Sequence, residues 1–253
     1  MKISIITICF NAAETIEKTI LSVINQNYKQ LEYIIIDGGS TDSTMDIVNK
    51  HKSKIQKIIS EKDKGLYDAL NKGLNLASGD VIAFLHADDV YANNEVLEKY
   101  ANVFSVTHAD AVYADLVYIS QEKPDKIVRK WISGKYKPGA FMNGWMPPHP
   151  TLFIRKRVFE KYGNFNSSFT SSGDYELMLR FIHKFKINLA YLNELTVSMR
   201  VGGKSNKSLK NRLIANKEDR LAWRINDLKP RPYTRYLKPF RKLLQFRKSN
   251  MSK

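Results

Sequence analysis

The sequence is poor in cysteine, glycine, proline and long apolar runs, and each shortage excludes a class of protein. Its 253 residues contain one cysteine, Cys9, so an intrachain disulfide and a disulfide-stapled scaffold are excluded. Twelve glycines and eight prolines are too few for a collagen-like chain. No segment approaches the roughly 20 apolar residues that a membrane-spanning helix needs. With 43% hydrophobic and 26% charged residues, the composition is typical of a globular protein with one large domain or two small ones.

Acidic residues are scarce near the C-terminus, so the charge of the chain is uneven. The formal net charge is +16. Residues 204–253 contain 16 Lys and Arg against three acids, whereas residues 1–203 contain 25 against 22. We therefore expect a nearly neutral body and a basic tail. Such a tail favours an anionic partner, although a purely solubilising role is the alternative.

The N-terminus has few features of a secretory signal peptide. Its apolar stretch at 3–8 is short, contains Ser4 and Thr7, and reads as the first buried strand of a domain. We therefore expect the protein to remain in the cytoplasm.

The first 90 residues alternate short apolar runs with amphipathic helical patterns. The predicted strands are 3–8, 31–36, 55–60 and 81–85, and the predicted helices between them are 13–25, 42–50 and 66–77. Strands separated by helices require right-handed crossovers, so this pattern predicts an α/β fold with a mainly parallel, Rossmann-type sheet flanked by helices.

The pattern loosens after residue 105 and predicts a smaller antiparallel portion. We predict an antiparallel pair at 111–119 and 126–132 and a Gly/Pro-rich loop over 133–150. Further along, the predicted strands are 151–154, 189–192 and 195–201. The predicted helices are 156–162, 174–185, 208–226 and 240–247, and residues 202–205 form a flexible joint.

Three polar clusters follow three of the predicted strands. They are Thr7 with Asn11, the run from Asp37 to Asp42, and His86-Ala87-Asp88-Asp89. Because ligands bind outside the carboxyl ends of parallel strands, we expect one site at that edge. Asp37 can accept hydrogen bonds from a base or ribose, but a structural turn acid explains it equally well.

Asp88 and Asp89 directly follow the predicted strand 81–85. Adjacent carboxylates repel each other unless a cation or hydrogen bonds intervene, and hard oxygen ligands suit Mg²⁺ or Mn²⁺. A solvated pair that caps a helix is the alternative. The position after a buried strand favours the metal.

Seven segments, in this order and spacing, resemble glycosyltransferase family 2, whose members have the GT-A fold. The segments are SIITICFN (4–11), IIDGGSTD (35–42), SEKDKGLYDA (60–69), NKG (71–73), ASGD (77–80), FLHADD (84–89) and GDYELMLR (173–180). The likeness covers roughly residues 2–200 and is greatest to the bacterial branch of surface-polysaccharide, O-antigen-type enzymes. It implies a catalytic domain over 1–203, with a nucleotide-sugar half at 1–105 and an acceptor-side half at 106–203.

The resemblance implies a donor site for a nucleotide-sugar. Thr7, Asn11 and Asp37 would hold the base and ribose, and Asp37 matches the acid that contacts uracil, which favours a UDP-sugar. Lys64 is placed to contact the diphosphate, although a solvated lysine explains it as well. Asp68, one helical turn later, would contact the nucleotide or cap its own helix.

The resemblance also implies a metal and a catalytic base. Asp88 matches the last acid of the family's Asp-x-Asp motif and Asp89 the acid after it, so Mn²⁺ or Mg²⁺ would rest on these two. His86 replaces the first acid, and a packed strand-end histidine is an alternative to a ligand. Asp174 matches the base that deprotonates the acceptor hydroxyl for inverting displacement, and Gly173 replaces the usual preceding Glu. A helix cap is the alternative for Asp174.

The loop 133–150 and the tail point to the acceptor. His149 resembles a position that lines the acceptor side, and Trp145 would either stack on a sugar face or pack in the core. Residues 229–253 interleave nine Lys and Arg with aromatic and leucine residues and contain no acid. Basic residues interleaved with aromatic ones suit binding to an anionic membrane surface. If the acceptor is a lipid-linked sugar or glycan at the inner face of the cell membrane, that surface is the expected partner of residues 229–253.

Two further functions compete with the enzyme. A sugar-nucleotide-binding or scaffold protein with a degenerate metal site would explain His86 and Gly173. A basic nucleic-acid-binding protein would explain the tail, but no nucleic-acid-binding motif accompanies it, and we expect no nucleic-acid partner.

Overall fold

In the computed structural model, residues 1–120, 123, 126–201, 209–234, 237 and 241 are described, and they contain nine strands and seven α-helices. The strands are β1 Ile3–Cys9, β2 Leu31–Asp37, β3 Lys57–Ser60, β4 Val81–Phe84, β5 Val90–Tyr91, β6 Ala111–Ile119, β7 Ile127–Trp131, β8 Phe153–Arg155 and β9 Leu189–Arg200. The helices are α1 Ile16–Ile24, α2 Thr44–Lys50, α3 Leu66–Leu76, α4 Val96–Thr107, α5 Lys156–Tyr162, α6 Gly173–Met178 and α7 Leu209–Ile225.

The strands form one sheet in the order β3-β2-β1-β4-β8-β6-β9-β5, with β7 paired to β6. β3, β2, β1 and β4 are parallel, as the alternation of strands and helices predicts. The register pairs Cys9 with Asp37 and Asp37 with Ser60, so the loops after β1, β2 and β3 leave the sheet side by side. The predicted α/β fold with a mainly parallel first half is confirmed.

The second half of the chain extends the same sheet with strands of mixed direction. β8 runs antiparallel to both β4 and β6, and the predicted antiparallel pairing of β6 with β7 is present. The two strands predicted at 189–192 and 195–201 are one long strand, β9, which lies parallel to β6 with two register shifts. The first shift spans Asn193 and Glu194, where the sequence pattern suggested a break, and the second lies between Leu195 and Val197.

Two apolar clusters cover the two faces of the sheet because side chains alternate along each strand. Ile6 and Ile8 point to the face that α3, α5 and α6 cover, whereas Ile3 and Ile5 point to the face that α1 and α4 cover. Gly73 brings α3 so close to β1 that an added Cβ would collide with Ile6. The start of α3 is thereby fixed near the carboxyl edge of the sheet.

Several predicted boundaries were wrong for local reasons. The helix predicted from residue 13 begins at Ile16, because a turn from Ala12 to Thr15 precedes it. The helix predicted at 174–185 is α6 followed by a wider π-helical segment, Leu179–Lys184. The short strand β5 and the helix α4 were not predicted, although α4 buries residues at helical spacing along one face.

The basic C-terminal segment is in contact with the body as far as it is described. α7 packs against α6 and contributes Ala222 and Trp223 to the core. The predicted joint at 202–205 and the predicted helix at 240–247 lie outside the described residues, apart from Arg241. None of the helices in the described part of the chain is long and apolar enough to cross a membrane.

Candidate active site

The Asp37 carboxylate organises the loop that follows β2. One oxygen accepts hydrogen bonds from the backbone N–H groups of Gly39 (3.1 Å) and Ser40 (2.9 Å) and from the Ser60 hydroxyl (2.7 Å). Burial alone would raise the pKa of Asp37, but these bonds and one from the Ser40 hydroxyl lower it below its ordinary value. Asp37 is fully buried, so this geometry corresponds to the structural turn acid, and its contact with a base stays a prediction.

Asn11 joins the loops after β1 and β2. Its backbone φ is +48°, a conformation that asparagine tolerates better than most residues. Its N–H donates to the Ser40 hydroxyl (2.8 Å), and its side-chain oxygen accepts from the N–H of Thr41 (2.9 Å). Asn11 is exposed at the carboxyl edge of the sheet, and its contact with a nucleotide stays a prediction.

Thr7 does not reach this edge with its side chain. It is fully buried within β1, and its hydroxyl accepts a hydrogen bond from the Tyr33 hydroxyl at 3.1 Å. The alternation of β1 directs Thr7 to the same face as Ile3 and Ile5, where its hydroxyl is enclosed. The structure therefore does not bring the Thr7 hydroxyl together with the exposed donor-side residues.

Asp68 and Lys64 lie at the start of α3. One Asp68 oxygen accepts the backbone N–H of Lys64 at 3.1 Å, and this bond is the largest cause of the lowered pKa of Asp68. The same oxygen lies 3.5 Å from the ammonium group of Lys72, which also pairs with Asp63 at 2.7 Å. Asp68 thus fixes the residue that precedes the N-cap of α3, and its contact with a nucleotide stays a prediction. Sequence reasoning missed Lys72, whose pKa is raised by its contacts with Asp63 and Glu61.

Four segments that are remote in sequence meet at Asp174. One carboxylate oxygen lies 3.3 Å from Nδ1 of His149, and the other accepts the Tyr67 hydroxyl at 3.3 Å. The His149 ring lies edge-on to that of His86, with centroids 5.3 Å apart. The Asp174 side chain is 26% exposed. The structure therefore brings Asp174 and His149 together at an accessible position and adds Tyr67 to them.

Gly173 makes the contact between Tyr67 and Asp174 possible. A Cβ at this position would lie 2.7 to 2.8 Å from three atoms of the Tyr67 ring, closer than real side chains approach. The glycine that replaces the usual family Glu thus leaves the space that the ring of Tyr67 on α3 occupies. Tyr67 is buried, and burial together with Asp174 raises its pKa, so its hydroxyl stays protonated. Sequence reasoning missed Tyr67. The glycine at position 173, where the family usually has Glu, was the sign that a bulky side chain packs against this position.

Asp88 and Asp89 differ in exposure. Asp88 is half-buried, whereas Asp89 is fully buried and neither of its oxygens has a hydrogen bond of normal geometry within the described residues. Burial and the neighbouring Asp88 raise the pKa of Asp89, against the opposing effect of Arg200. Burial and His149 lower the pKa of His86 to about 4, although Asp88 and Asp174 act in the opposite direction, so this imidazole is neutral near pH 7.

The donor set at Asp88 fits a divalent ion that is shared with a ligand. Within the described residues, no group of three or more acidic, histidine or cysteine side chains could hold a metal by itself. Mg²⁺ and Mn²⁺ sites on phosphate substrates need only one or two carboxylates, because phosphate oxygens and waters complete the shell. The buried Asp89 carboxylate, whose oxygens make no hydrogen bond of normal geometry within the described residues, is consistent with such a site beside Asp88.

Trp145 belongs to the core, as one of its two predicted roles required. It is 7% exposed, and its indole N–H donates to the backbone carbonyl of Ser133 at 2.9 Å. Rings of Tyr113, Tyr136 and Phe141 surround it, with centroids 5.1 to 5.6 Å away. Its ring faces are not open to a sugar, so Trp145 supports the loop that carries His149.

The sequence matches known proteins over most of its length. The sequence model described as Glycosyl transferase family 2 matches residues 4–182. A PGL/p-HBAD biosynthesis glycosyltransferase of Mycobacterium tuberculosis is 28% identical over 209 residues, covering 80% of this chain and 78% of the relative. An uncharacterised glycosyltransferase of the same species is 29% identical over 189 residues, covering 70% and 68%.

Solved structures share the fold. S. aureus TarS 1–349 in complex with UDP-GlcNAc superposes with a TM-score of 0.71 at 18% identity, covering 89% of this chain. The match spans 65% of the TarS chain, which is less than two thirds of its length. A mannosyltransferase from Pyrobaculum calidifontis in complex with GDP-Man and Mn²⁺ gives 0.67 at 15% identity, covering 100% of this chain and 76% of that one. The predicted GT-A-like fold is confirmed.

Proposed function

This chain belongs to glycosyl transferase family 2, and from that premise we propose that it is a metal-dependent, inverting glycosyltransferase. It moves a sugar from a UDP-sugar to a glycan or lipid-linked acceptor in the assembly of cell-surface polysaccharide. The observation that carries the proposal is the convergence of His149 and Tyr67 on the accessible carboxylate of Asp174. A carboxylate held from both sides, at the edge where family members bind substrate, suits a general base.

In the proposed reaction, Asp174 takes the proton of the acceptor hydroxyl. The acceptor oxygen attacks the anomeric carbon from the side opposite the leaving diphosphate, which inverts the configuration. His149 and Tyr67 contact different oxygens of the carboxylate, so together they fix its plane while it receives the proton. Proximity and orientation of this kind supply a large part of the rate of such displacements.

Asp88 and Asp89 would hold Mn²⁺ or Mg²⁺ in this enzyme. When bound, such an ion neutralises charge on the leaving diphosphate. The neutral imidazole of His86 adds a nitrogen donor beside Asp88. Support for a metal also comes from the mannosyltransferase neighbour, which was solved with Mn²⁺.

The donor is proposed to lie along the loops after β1, β2 and β3. Asn11 and Lys64 are exposed there and would contact the nucleoside and the diphosphate. Asp37 and Asp68 hold the loop backbones in place, and Asp37 would meet the base if the loop opens to admit it. The TarS neighbour supports UDP, whereas the GDP-Man complex makes GDP-sugars the control donors.

The proposed catalytic domain spans 1–203, with the donor half at 1–105, the acceptor half at 106–203 and the basic tail at 204–253. The PGL/p-HBAD relative is, by its name, a biosynthetic glycosyltransferase, which is compatible with a glycan or lipid-linked acceptor. We propose that the tail attaches the enzyme to the anionic inner face of the cell membrane. In vesicle sedimentation, binding to phosphatidylglycerol but not to phosphatidylcholine is expected, and equal retention by both would contradict the attachment.

The exposed face of α7 supports this attachment. Leu213 is 70% exposed and Leu221 is 36% exposed, and Lys217, Arg220 and Arg224 share their side of the helix. Apolar residues flanked by cations favour the interface of an anionic bilayer. Charge removal at Arg220 and Arg224 is therefore expected to weaken vesicle binding.

A panel of UDP-sugars and GDP-sugars, each with and without Mn²⁺, tests the proposed function. Metal-dependent release of UDP from one donor is the expected result. A non-catalytic nucleotide-sugar-binding protein is the second candidate, because His86 replaces an acid and no three-residue metal group exists in the described part of the chain. It predicts UDP binding without release for every donor, also when a membrane lipid extract is added as acceptor.

A further inference from the structure

The Glu218 carboxylate of α7 binds the loop that leads into the candidate base. One of its oxygens accepts the backbone N–H and the hydroxyl of Thr170, at 2.9 and 2.6 Å. Its other oxygen accepts the backbone N–H groups of Ser171 and Ser172, both at 2.8 Å. Three successive N–H groups, ending two residues before Asp174, thus converge on one side chain.

Two further contacts tie α7 to residues on the other side of Asp174. The Trp223 indole N–H donates to the Tyr175 hydroxyl at 2.9 Å, and the Asn226 amide donates to a Glu176 oxygen at 3.0 Å. α7 therefore contacts the chain on both sides of Asp174, at residues 170–172 before α6 and at Tyr175 and Glu176 within it. Asp174 itself contacts α3 and the 149–151 turn instead, so it is held between the two sides.

Glu218 suits this contact as an anion. Burial would raise its pKa, but the hydrogen bonds from Thr170, Ser171 and Ser172 lower it below the ordinary value for glutamate. Hydrogen bonds from N–H groups to a charged acceptor are stronger than those to a neutral one. Because the three backbone N–H groups precede the first turn of α6, no helical carbonyl is available to them, and Glu218 fixes the direction in which α6 begins.

We propose that Glu218 is a positioning residue for Asp174: its carboxylate sets the loop at 170–172 and thereby the position of the base. The proposal rests on the proposed function, because it takes Asp174 as the base. The proposal makes α7 a part of the catalytic apparatus, although this helix follows the segment that the family sequence model matches. A base displaced by about 1 Å typically costs about 100-fold in rate, so a lost anchor affects turnover more than donor binding.

The test compares Glu218→Gln and Glu218→Ala with Asn216→Ala, an exposed position on the same helix. The activity is UDP release from the donor that the panel identifies, with water as acceptor. Glu218→Ala is expected to lower kcat by about 10-fold to 100-fold, with the donor KM changed less than about twofold. Glu218→Gln keeps one acceptor oxygen and is expected to fall between wild type and alanine. Equal losses in kcat and donor affinity would overturn positioning.

Backbone hydrogen exchange provides a readout that needs no substrate. In Glu218→Ala, the amides of residues 170–172 are expected to exchange faster, whereas those of β1 and β4 stay protected. Unchanged exchange at 170–172 together with wild-type kcat would overturn the proposal. If Glu218→Ala does not fold, kcat and the exchange of the amides of residues 170–172 are measured in the isosteric Glu218→Gln variant instead. Full activity of Asp174→Asn would instead overturn the proposed function, whatever Glu218 does.

Discussion

Nδ1 of His149 lies 3.3 Å from a carboxylate oxygen of Asp174, although the two residues belong to separate elements of the chain. His149 is held in a turn of the 133–150 loop, and Asp174 begins α6. Asp174 also accepts a hydrogen bond from Tyr67 on its other oxygen, which links this pair to α3. The contact between His149 and Asp174 is the geometric basis of the proposed chemistry.

Replacement of His149 is expected to lower turnover through Asp174. His149→Ala removes the group on one carboxylate oxygen, and we expect kcat to fall by about 10-fold to 100-fold. His149→Asn places an amide nitrogen near the position of Nδ1, so it should retain part of the activity. Steady-state kinetics on the identified donor measures both variants. Alanine and asparagine variants that are equally active would show that the contact does not serve the base.

Because Gly173 lies so close to Tyr67, we expect Gly173→Ala to destabilise the fold, whereas a Gly→Ala change in a helix normally stabilises it. Alanine normally favours a helix over glycine, but here the added Cβ meets the Tyr67 ring at 2.7 to 2.8 Å. We expect Gly173→Ala to destabilise the fold by about 1 to 3 kcal/mol and to lower activity. Urea denaturation measures the cost.

A double-mutant cycle with Tyr67→Ala provides the control for Gly173→Ala. Removing the ring makes room for the Cβ, so the added cost of Gly173→Ala should largely vanish in that background. Tyr67→Phe separates the hydroxyl from the ring and should reduce activity with a smaller change in stability. An additive cycle would contradict the steric account.

Metal removal should distinguish Asp88 from Asp89. With EDTA, UDP release should stop and return when Mn²⁺ is added. Asp88→Asn is expected to abolish the effect of Mn²⁺ on UDP binding, whereas Asp89→Asn should weaken Mn²⁺ affinity by about 10-fold to 100-fold. Calorimetric titration of Mn²⁺ in the presence of UDP measures both. UDP binding that is the same with and without the metal in wild type would argue against this site.

The lowered pKa of Glu32 predicts that the stability of the fold depends on pH. Glu32 lies near the start of β2, at the edge of the sheet remote from the candidate site. Burial would raise its pKa, but hydrogen bonds from Ser4, Ser78 and Lys2 lower it to about 2, from an ordinary value of 4.5. Because the folded pKa is depressed, the stabilisation is complete above pH 4.5 and is lost as the pH falls toward 2. Its upper bound is about 3 kcal/mol.

Comparison of Glu32→Gln with wild type isolates this contribution. Urea denaturation between pH 3 and pH 7 should show a difference in the free energy of unfolding that is largest near pH 7 and shrinks toward pH 3. Glu160→Gln, at an exposed position on α5, is the matched control and should show no such trend. A difference that is constant with pH would contradict the lowered pKa of Glu32.

The parallel half of the fold could be predicted from sequence because its signals are local. Apolar β-branched runs at β1, β2 and β4 alternate with helical patterns, and turn residues punctuate them. The joining of 189–192 and 195–201 into one strand, β9, could not be predicted from sequence. It depends on the long strand β6, which pairs with β9 on both sides of the polar interruption. The helix α4 was predictable in principle, because its buried residues Val96, Leu97, Tyr100 and Phe104 recur at helical spacing.

The site was only partly predictable for a similar reason. Asp174 and His149 could be singled out by motif, but their contact depends on how the 133–150 loop folds over Trp145. Thr7 is buried, as its place in a predicted buried strand indicated, whereas the burial of Trp145 follows only from the tertiary structure. Tyr67 and Glu218 act through partners about 50 to 100 residues away, which no local pattern reveals.

The identity of the base is tested most directly by Asp174→Asn, compared with Asp46→Asn at an exposed position on α2. UDP release and UDP binding are measured together on the donor identified by the panel, with circular dichroism to confirm folding. The account predicts that Asp174→Asn binds UDP within about twofold of wild type but releases UDP from the donor at least about 100-fold more slowly, while Asp46→Asn matches wild type. A folded Asp174→Asn variant with wild-type turnover would contradict the central claim.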